Sequence, residues 1–523
     1  MVGAGAAGIT IARELDGSEL RVLLLEGGGA RGIDERTQAL YRSDVVGHAH
    51  SGVHTMRFRV FGGTTTRWPG EVLPLFDLDF ERRDWVANSG WPLGRDELEP
   101  YYRRASDRLS VPPFPRRPGE AWPSALVPPP SFDQRRVTPL FSEHAPQPDF
   151  ARAYGRRLRR SPNVEVLLAA NVVELVADQA TTYVHAARAR SLDGSKVEVE
   201  ADLFVVCCGG IDSARLLLAS DRQSEGGLGN ERDLVGRFFQ DHPGIRVGPI
   251  VPSGDQLRET FSPQRLGGVK FQPRFAASEQ LQQRERLLGT CGEVLFDAPA
   301  GGTSVAGPRS VVSSSSSIEA GKSLVQAIRR REVPSDLRSS LGAIVRDPAP
   351  LLRAGARYFV MRRPALDTSG TPVLTMGCEQ APNPESRVYL SESCDELDMR
   401  RAVLDWRLGE QEVRACRRFA DVAASEFERL GLGKVDLDAF ELPDDPAELS
   451  GLVVDRGHHM GTTRMASDPR SGVVDADCKV FGLDNLYLGN CGVFPTGGST
   501  NPTFTLIALC IRIADTLRQR TRA

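Results

Sequence analysis

The residues that could do chemistry fall in three glycine-rich stretches. The first is N-terminal, where Gly3, Gly5 and Gly8 of Met1-Val-Gly-Ala-Gly-Ala-Ala-Gly8 have the G-x-G-x-x-G spacing. The first glycine permits a tight turn, the second lets backbone approach a pyrophosphate, and the third lets a helix lie close to a sheet. Residues 9–15 continue as a helix, whose free N–H groups and dipole favour an anion at its start. Arg21-Val-Leu-Leu-Leu-Glu26 is a short apolar run suited to a buried parallel strand. It ends in Glu26, 21 residues after Gly5, where a carboxylate can accept from a ribose hydroxyl. Together these read as half of a dinucleotide-binding βαβ unit; a turn that binds nothing would explain the glycines but neither the strand nor the acid. The second stretch is Phe61-Gly-Gly-Thr-Thr-Thr-Arg-Trp-Pro-Gly70. Its paired glycines and threonines offer bare N–H groups and hydroxyls to a phosphate or a flat ring, or else form an ordinary turn. The third begins at Gly457-His-His-Met-Gly-Thr-Thr-Arg-Met465 and resumes at Gly489-Asn-Cys-Gly-Val-Phe-Pro-Thr-Gly-Gly-Ser-Thr-Asn-Pro-Thr503. A histidine beside glycine, with no nearby thiol or carboxylate, is a poor metal site but a reasonable proton acceptor, because imidazole titrates near neutrality. His458 and His459 can equally be packing histidines. Asn501 offers an amide to a substrate oxygen at the start of the last helix.

Something must hold these loops together. Residues 164–168 and 171–176 read as strands, and 183–200 as a β-hairpin turning at Asp193-Gly194. Residues 202–210 form a second buried strand ending in glycines, with a helix at 211–220 behind it. From Asn230 the character changes. Strand-like segments near 245–251, 267–275, 290–297 and 371–378 predict a mostly antiparallel sheet, with two more strands at 382–390 and 404–408. Helices are expected at 98–109, 150–160, 411–430 and 503–518. Residues 31–60, with His48, His50 and His54, read as a polar surface loop, and the proline-rich 111–150 as a wrapping loop. The basic 300–365 insert carries helices at 324–331, 337–345 and 351–363, and reads as a solvated elaboration rather than a lid, interface or electron-acceptor dock. The fold class is α/β. A discontinuous Rossmann-type domain (1–110, 151–235 and 455–523) accompanies an α+β substrate domain at 236–454, built on a mostly antiparallel sheet.

A chain of 523 residues implies two or three domains or one large α/β core, and 40% apolar with 25% charged residues is a globular composition. A net charge of −3 argues against nucleic acid as the main partner. No run approaches the ~18 apolar residues of a membrane span, and the N-terminus lacks the basic and apolar regions of a signal peptide. Nine cysteines without a C-x-x-C pair read as reduced core thiols of a cytoplasmic protein. Only Met1 and Val2 precede Gly3, so the first strand is either stunted or cut short by a late start codon.

In combination, these motifs resemble the glucose–methanol–choline (GMC) family of FAD-dependent alcohol oxidoreductases, nearly end to end. The family's three signatures stand here in order as Gly3-Gly5-Gly8 with Glu26, Gly62-Gly63-Thr64…Trp68, and His458-x-x-Gly461-Thr462…Asn501-Pro502-Thr503. Trp91-Pro-Leu…Leu98-Glu-Pro-Tyr-Tyr102, Asp233-Leu-Val-Gly…Asp241-His-Pro243 and Pro382-Asn-Pro-Glu-Ser-Arg387 look most like its pyranose oxidase and glycoside oxidase branch. The resemblance implies that His458 takes the alcohol proton while hydride leaves for flavin N5, that Asn501 orients the same oxygen, and that His459 is not catalytic. It implies that Ala6, Ala7, Gly27, Val173, Cys208, Gly209 and Asn490 join the signature residues in holding FAD. Several pyranose oxidases have a histidine bonded covalently to FAD just before this tryptophan; Arg67 stands here, so FAD is expected to be non-covalent. Pro69 replaces a polar residue of some relatives, which leaves oxygen reactivity open. The implied activity is oxidation of a secondary alcohol of a sugar or glycoside to a ketone, with O2 or a quinone-like compound as acceptor and no metal. The alternatives are a non-sugar alcohol (sterol, aliphatic or natural-product intermediate) and a flavin-binding chain without turnover.

Overall fold

The computed structural model describes residues 1–112, 122–297 and 370–520, apart from 439, 441 and 450, together with helical positions between 317 and 355. The insert helices read at 324–331 and 351–363 fall largely outside the described residues; Leu337–Arg346 is a helix.

A parallel sheet forms the first half. Val22–Leu25 pairs in parallel with Val164–Leu167, and Phe204–Val206 with Leu486–Leu488. Val2 bridges the two pairs, contacting Leu25 on one side and Val206 on the other. The first strand is therefore a single paired residue, held by Val2 N–H to Val205 O at 2.9 Å and Cys207 N–H to Val2 O at 2.7 Å. The helix Ala6–Leu15 packs between this sheet and the last helix, Thr503–Arg520. A Cβ at Gly8 would sit 1.9 Å from the Gly3 carbonyl oxygen, so only glycine permits that approach. An antiparallel three-stranded sheet, Asn171–Ala177, Val184–Arg190 and Lys196–Glu200, lies alongside. Its second turn contains Gly194 at φ +92°, as Asp-Gly predicts.

The second half is a large antiparallel sheet in the order Gly433–Val435, Gly244–Pro252, Pro372–Cys378, Thr290–Phe296, Val269–Ala277, Val137–His144, Glu71–Val72. The four strands expected here lie within a few residues of where the sequence put them. Val137–His144 was read as part of a wrapping loop, yet it pairs with Val269–Ala277 over its whole length. The prolines ahead of it dominate the composition and hide the run. Residues 31–60 also differ from expectation. They contain the helix Glu35–Ala39, the strand Asp44–Gly47 and the helix Gly52–Thr55. Asp44–Gly47 pairs in parallel with Arg400–Trp406, a partner about 350 residues away that local polarity cannot announce. His48 and His50 are buried in consequence, and only His54 is exposed.

Beneath the antiparallel sheet lies an apolar cluster in which Phe261, Phe275, Phe419 and Phe427 pack ring to ring against the helix Glu410–Arg429. Strand side chains alternate between faces. The strands that give Phe275, Val294, Leu374, Met376 and Ile245 to this core are therefore free to present different chemistry on the other side. All nine cysteines are unpaired; Cys394 is exposed, so not all are core thiols.

Candidate active site

A cavity of about 950 Å³ opens between the carboxyl ends of the parallel strands and the antiparallel sheet. Three helices begin at its wall: Ala6–Leu15 after Gly5, Gly209–Ala219 after Cys208, and Thr503–Arg520 after Pro502. Each directs unpaired N–H groups toward the space, which suits a ligand carrying phosphates. A Cβ at Gly5 or Gly209 would meet no atom within 4 Å, so both glycines face open room. The side-chain amide nitrogen of Asn490 is buried there without a hydrogen-bond partner, while its Oδ1 accepts from Gly492 N–H at 2.7 Å. Glu26 is buried at the rim, where burial raises its carboxyl pKa. Its Oε2 and Oε1 accept from Ala4 and Gly28 N–H at 2.9 and 2.8 Å, leaving lone pairs for a ribose hydroxyl. This half of the cavity fits a dinucleotide such as FAD.

Of the residues expected from the sequence, the structure brings Gly3, Gly5, Ala6, Ala7, Glu26, Gly27, Gly63, Thr64, Trp68, Cys208, Gly209, Asn490, His458, Asn501, Pro502 and Thr503 to the cavity wall. Gly8, Gly62 and Val173 are not on it. Gly8 lies under the Gly3 carbonyl. Gly62 turns the chain at φ +100°, bringing Gly63 against Gly5. Asn171 and Val172 line the cavity in place of Val173, because a register shift between Val172 and Glu174 breaks the alternation a sequence reader would follow. Trp68 is fixed by its Nε1–H, which donates to Pro148 O at 2.7 Å.

His458 lies on the same wall. Its Nδ1 is 2.8 Å from Nδ1 of His242, and the two rings cross at 79°. His242 Nε2 contacts the Gly497 carbonyl at 3.3 Å. Asp241 organises both residues. Its Oδ1 accepts the backbone N–H groups of His242 (2.6 Å) and His458 (2.9 Å), and its Oδ2 accepts Gly457 N–H and the His50 ring, each at 2.9 Å. Burial alone would raise the Asp241 carboxyl, but its contact with His50 outweighs that and holds the group well below its ordinary range. Burial pushes His458 down to about 3 and lowers His242 and His459 too, so all three rings are neutral near pH 7.

Reading residues 31–60 as a surface loop missed this hub. Ligand atoms of His50, Asp241 and His459 lie within 4.8 Å of one another, a grouping that could suggest a metal. The His50 and Asp241 atoms are already in use: His50 Nδ1 accepts from Val53 N–H at 3.1 Å, and both Asp241 oxygens are shared by two donors each, while His459 Nε2 alone is buried without a partner. The cluster is a hydrogen-bond hub.

Opposite the histidines, the free face of the antiparallel sheet forms the roof. Lys270, Gln272 and Arg274 alternate along one strand, and Glu293 and Thr375 come from the next two. Arg274 Nη2 reaches Glu71 at 2.7 Å and Glu293 at 2.9 Å, and Arg456 Nη1 reaches Glu293 at 3.3 Å. His144 Nε2, Thr375 Oγ1 and Ser499 Oγ are buried beside this chain of charges without partners. Burial also lowers His144 to about 4, so it stays neutral. Sequence reasoning missed these groups. The polar residues at 270, 272 and 274 between Phe271, Pro273 and Phe275 were the available signal.

The deep cavity thus has a wall of helix N-termini suited to a dinucleotide, and a neutral imidazole facing a polar roof. Residues 382–510 match the family model described as GMC oxidoreductase. The chain is similar to the fructose dehydrogenase large subunit of Gluconobacter japonicus, with 23% identity over 87% of this chain and 80% of that protein. It is similar to paromamine 6'-oxidase of Streptomyces fradiae, with 24% identity over 98% of this chain and 90% of that protein. Its fold matches the crystal structure of pyridoxine 4-oxidase from Mesorbium loti at a TM-score of 0.55 and 18% identity, covering 99% and 98% of the two chains. Residues 382–510 therefore form a GMC oxidoreductase domain, and the chain as a whole has the FAD-binding fold of those enzymes. Among the described residues no helix is long and apolar enough to cross a membrane.

Proposed function

We propose that this enzyme oxidises a secondary alcohol of a sugar or glycoside to a ketone, with His458 as base and Asn501 as the group that orients the reacting oxygen. The observation that carries this reading is the pairing of a neutral imidazole with a roof of hydroxyl-binding groups across one cavity. Arg274, Glu293, Arg456 and the partnerless His144 Nε2, Thr375 Oγ1 and Ser499 Oγ offer donors and acceptors at several points. A simple alcohol would leave most of these buried groups unsatisfied, at a cost of about 1–3 kcal/mol each. A polyol satisfies them. The similarity to a fructose dehydrogenase subunit points the same way.

FAD, when bound, supplies the acceptor for the carbinol hydride. The residues that would hold it are the N-terminal glycine loop, Glu26, Gly63-Thr64, Cys208-Gly209 and Asn490. His458 accepts the hydroxyl proton, which makes the carbinol carbon a better hydride donor. Trp68 and the roof exclude water from the reacting oxygen. Arg67 stands where a covalent histidyl link would form, and its side chain is exposed; FAD is held non-covalently.

The test is anaerobic bleaching of the yellow holoenzyme by a panel of D-glucose, D-fructose, methyl β-D-glucopyranoside, ethanol and 2-methyl-1,2-propanediol. Bleaching by a sugar or glycoside but not by the last two supports the proposal. Bleaching by the simple alcohols alone would sink it in favour of a non-sugar substrate. Repeating the reactive case under air, with and without a quinone dye, identifies the electron acceptor. Acid precipitation should leave the flavin in the supernatant, and a yellow pellet would overturn the non-covalent assignment.

A further inference from the structure

We infer that His242 is a positioning residue that locks His458 in the tautomer whose Nε2 is bare, and so makes it a base. The inference rests on the proposed role of His458. The Gly497 carbonyl can only accept, so its contact with His242 Nε2 places the single ring proton of neutral His242 on that nitrogen. His242 Nδ1 is then a lone pair. The 2.8 Å Nδ1–Nδ1 contact therefore has one possible sense: His458 Nδ1–H donates and His242 Nδ1 accepts. A neutral imidazole has one ring proton, so His458 Nε2 is unprotonated. That nitrogen has no hydrogen-bond partner among the described residues, and the ring lines the cavity.

Asp241 keeps the pair in register through the backbone. It holds the N–H groups of both histidines on one oxygen, which fixes the spacing of the two rings before substrate arrives. Its charge falls on the main chain and on His50, so the imidazole that backs His458 is neutral. A carboxylate in that place would raise the proton affinity of His458 and tie up the proton it accepts. With a neutral partner, the alcohol O–H bond breaks, the Nε2–H bond forms, and the resulting imidazolium keeps its Nδ1–H···Nδ1 bond to His242. Burial disfavours a proton on either ring at rest, which agrees with two neutral imidazoles in this contact.

The test uses FAD-loaded enzyme labelled with 15N-histidine. The chain has eight histidines, few enough to resolve by long-range proton–nitrogen spectra. Wild type should show His458 with protonated Nδ1 and bare Nε2, and His242 with the opposite tautomer. His242→Asn can put an amide oxygen roughly where Nδ1 stood, and should keep His458 as it is. His242→Leu removes the acceptor and should move the His458 proton to Nε2. Flavin reduction is then measured with whichever sugar of the panel bleaches fastest. His242→Leu should slow reduction at saturating sugar by roughly 100- to 10,000-fold, the range a positioned general base contributes, with a catalytic histidine in the wrong tautomer at its upper end. KM should stay within about threefold, and His242→Asn should recover to within about tenfold of wild type.

A wild-type spectrum with protonated His458 Nε2 overturns the inference, and this reading survives even if His242→Leu fails to fold. Equal impairment of the Asn and Leu variants also overturns it, since a purely structural role would not distinguish them. Failure of the underlying reading looks different: His458→Ala would then reduce flavin at the wild-type rate, whatever tautomer the spectra report.

Discussion

Asp241 carries four N–H donors on two oxygens, drawn from three segments of the chain: His50, His242, and the adjacent Gly457 and His458. Replacing it with asparagine turns one oxygen into an NH2 group facing N–H donors, which both removes acceptors and adds a repulsion. Asp241→Asn should lower stability by about 3 kcal/mol, read as a fall in melting temperature of the FAD-loaded protein. It should also slow flavin reduction, because His242 and His458 lose their common anchor. An unchanged melting temperature would show that the hub is not structural. His458→Ala should keep FAD bound while losing roughly 100- to 10,000-fold in flavin reduction by substrate. At this scale the sequence was partly legible. His458 and Asn501 stood out through their motifs, and Asp241-His242 was visible as a motif without a role. The role depends on a contact between residues 216 positions apart in the chain, which no spacing encodes.

The glycines of the N-terminal loop separate into two kinds once the surrounding elements are placed. Gly5 faces open cavity and Gly8 faces the Gly3 carbonyl. Gly5→Val should therefore fold, with near-normal far-ultraviolet circular dichroism, but purify without flavin colour. Gly8→Val should push the first helix off the sheet and reach the soluble fraction poorly. If both variants behaved alike, the division between a binding glycine and a packing glycine would be wrong. Elements with strong periodicity were read well: Glu410–Arg429 and Thr503–Arg520 begin and end within two residues of their expected bounds. What failed was anything set by distant pairing. The strand Asp44–Gly47 exists because Arg400–Trp406 offers it an edge, and Val137–His144 because Val269–Ala277 does. Neither has an alternation strong enough to stand out from its own neighbours.

Several features of the whole molecule set its response to acid. His242, His458 and His459 are buried with lowered pKa values, His458 to about 3. The unfolded chain takes up these protons below about pH 6.5, while the folded chain resists them. Stability is therefore complete above about pH 6.5. As pH falls toward 3, it is lost at about 1.4 kcal/mol per pH unit for each imidazole that titrates only in the unfolded state. Asp241, held low in the folded state, adds its own loss below the usual carboxylate range. Melting temperatures measured between pH 7.5 and 4.5 should fall steadily, and a flat profile to pH 4.5 would contradict the neutral-imidazole core. A second constraint ties the segment around Arg83 to the antiparallel sheet. Its guanidinium makes a paired contact with Glu379, at 2.8 and 2.5 Å, with both side chains almost fully buried. Arg83→Leu strands that carboxylate and should destabilise the protein by about 3–5 kcal/mol, whereas changing both partners to apolar residues should cost much less. A double-mutant cycle on thermal melts checks this.

The cavity roof is one face of a sheet whose other face is the phenylalanine core. Odd and even positions of a strand thus answer to different selective pressures. A change at 270 or 272 faces the cavity, whereas a change at 271 or 275 meets apolar core and one at 274 would strand the carboxylates of Glu71 and Glu293. Mutations of the first kind can accumulate without threatening folding, so substrate preference in a lineage with this architecture is free to drift while the scaffold stands still. A library confined to alternate roof positions should yield mostly folded, flavin-containing proteins with altered sugar preference. The same library shifted by one residue should yield mostly insoluble chains.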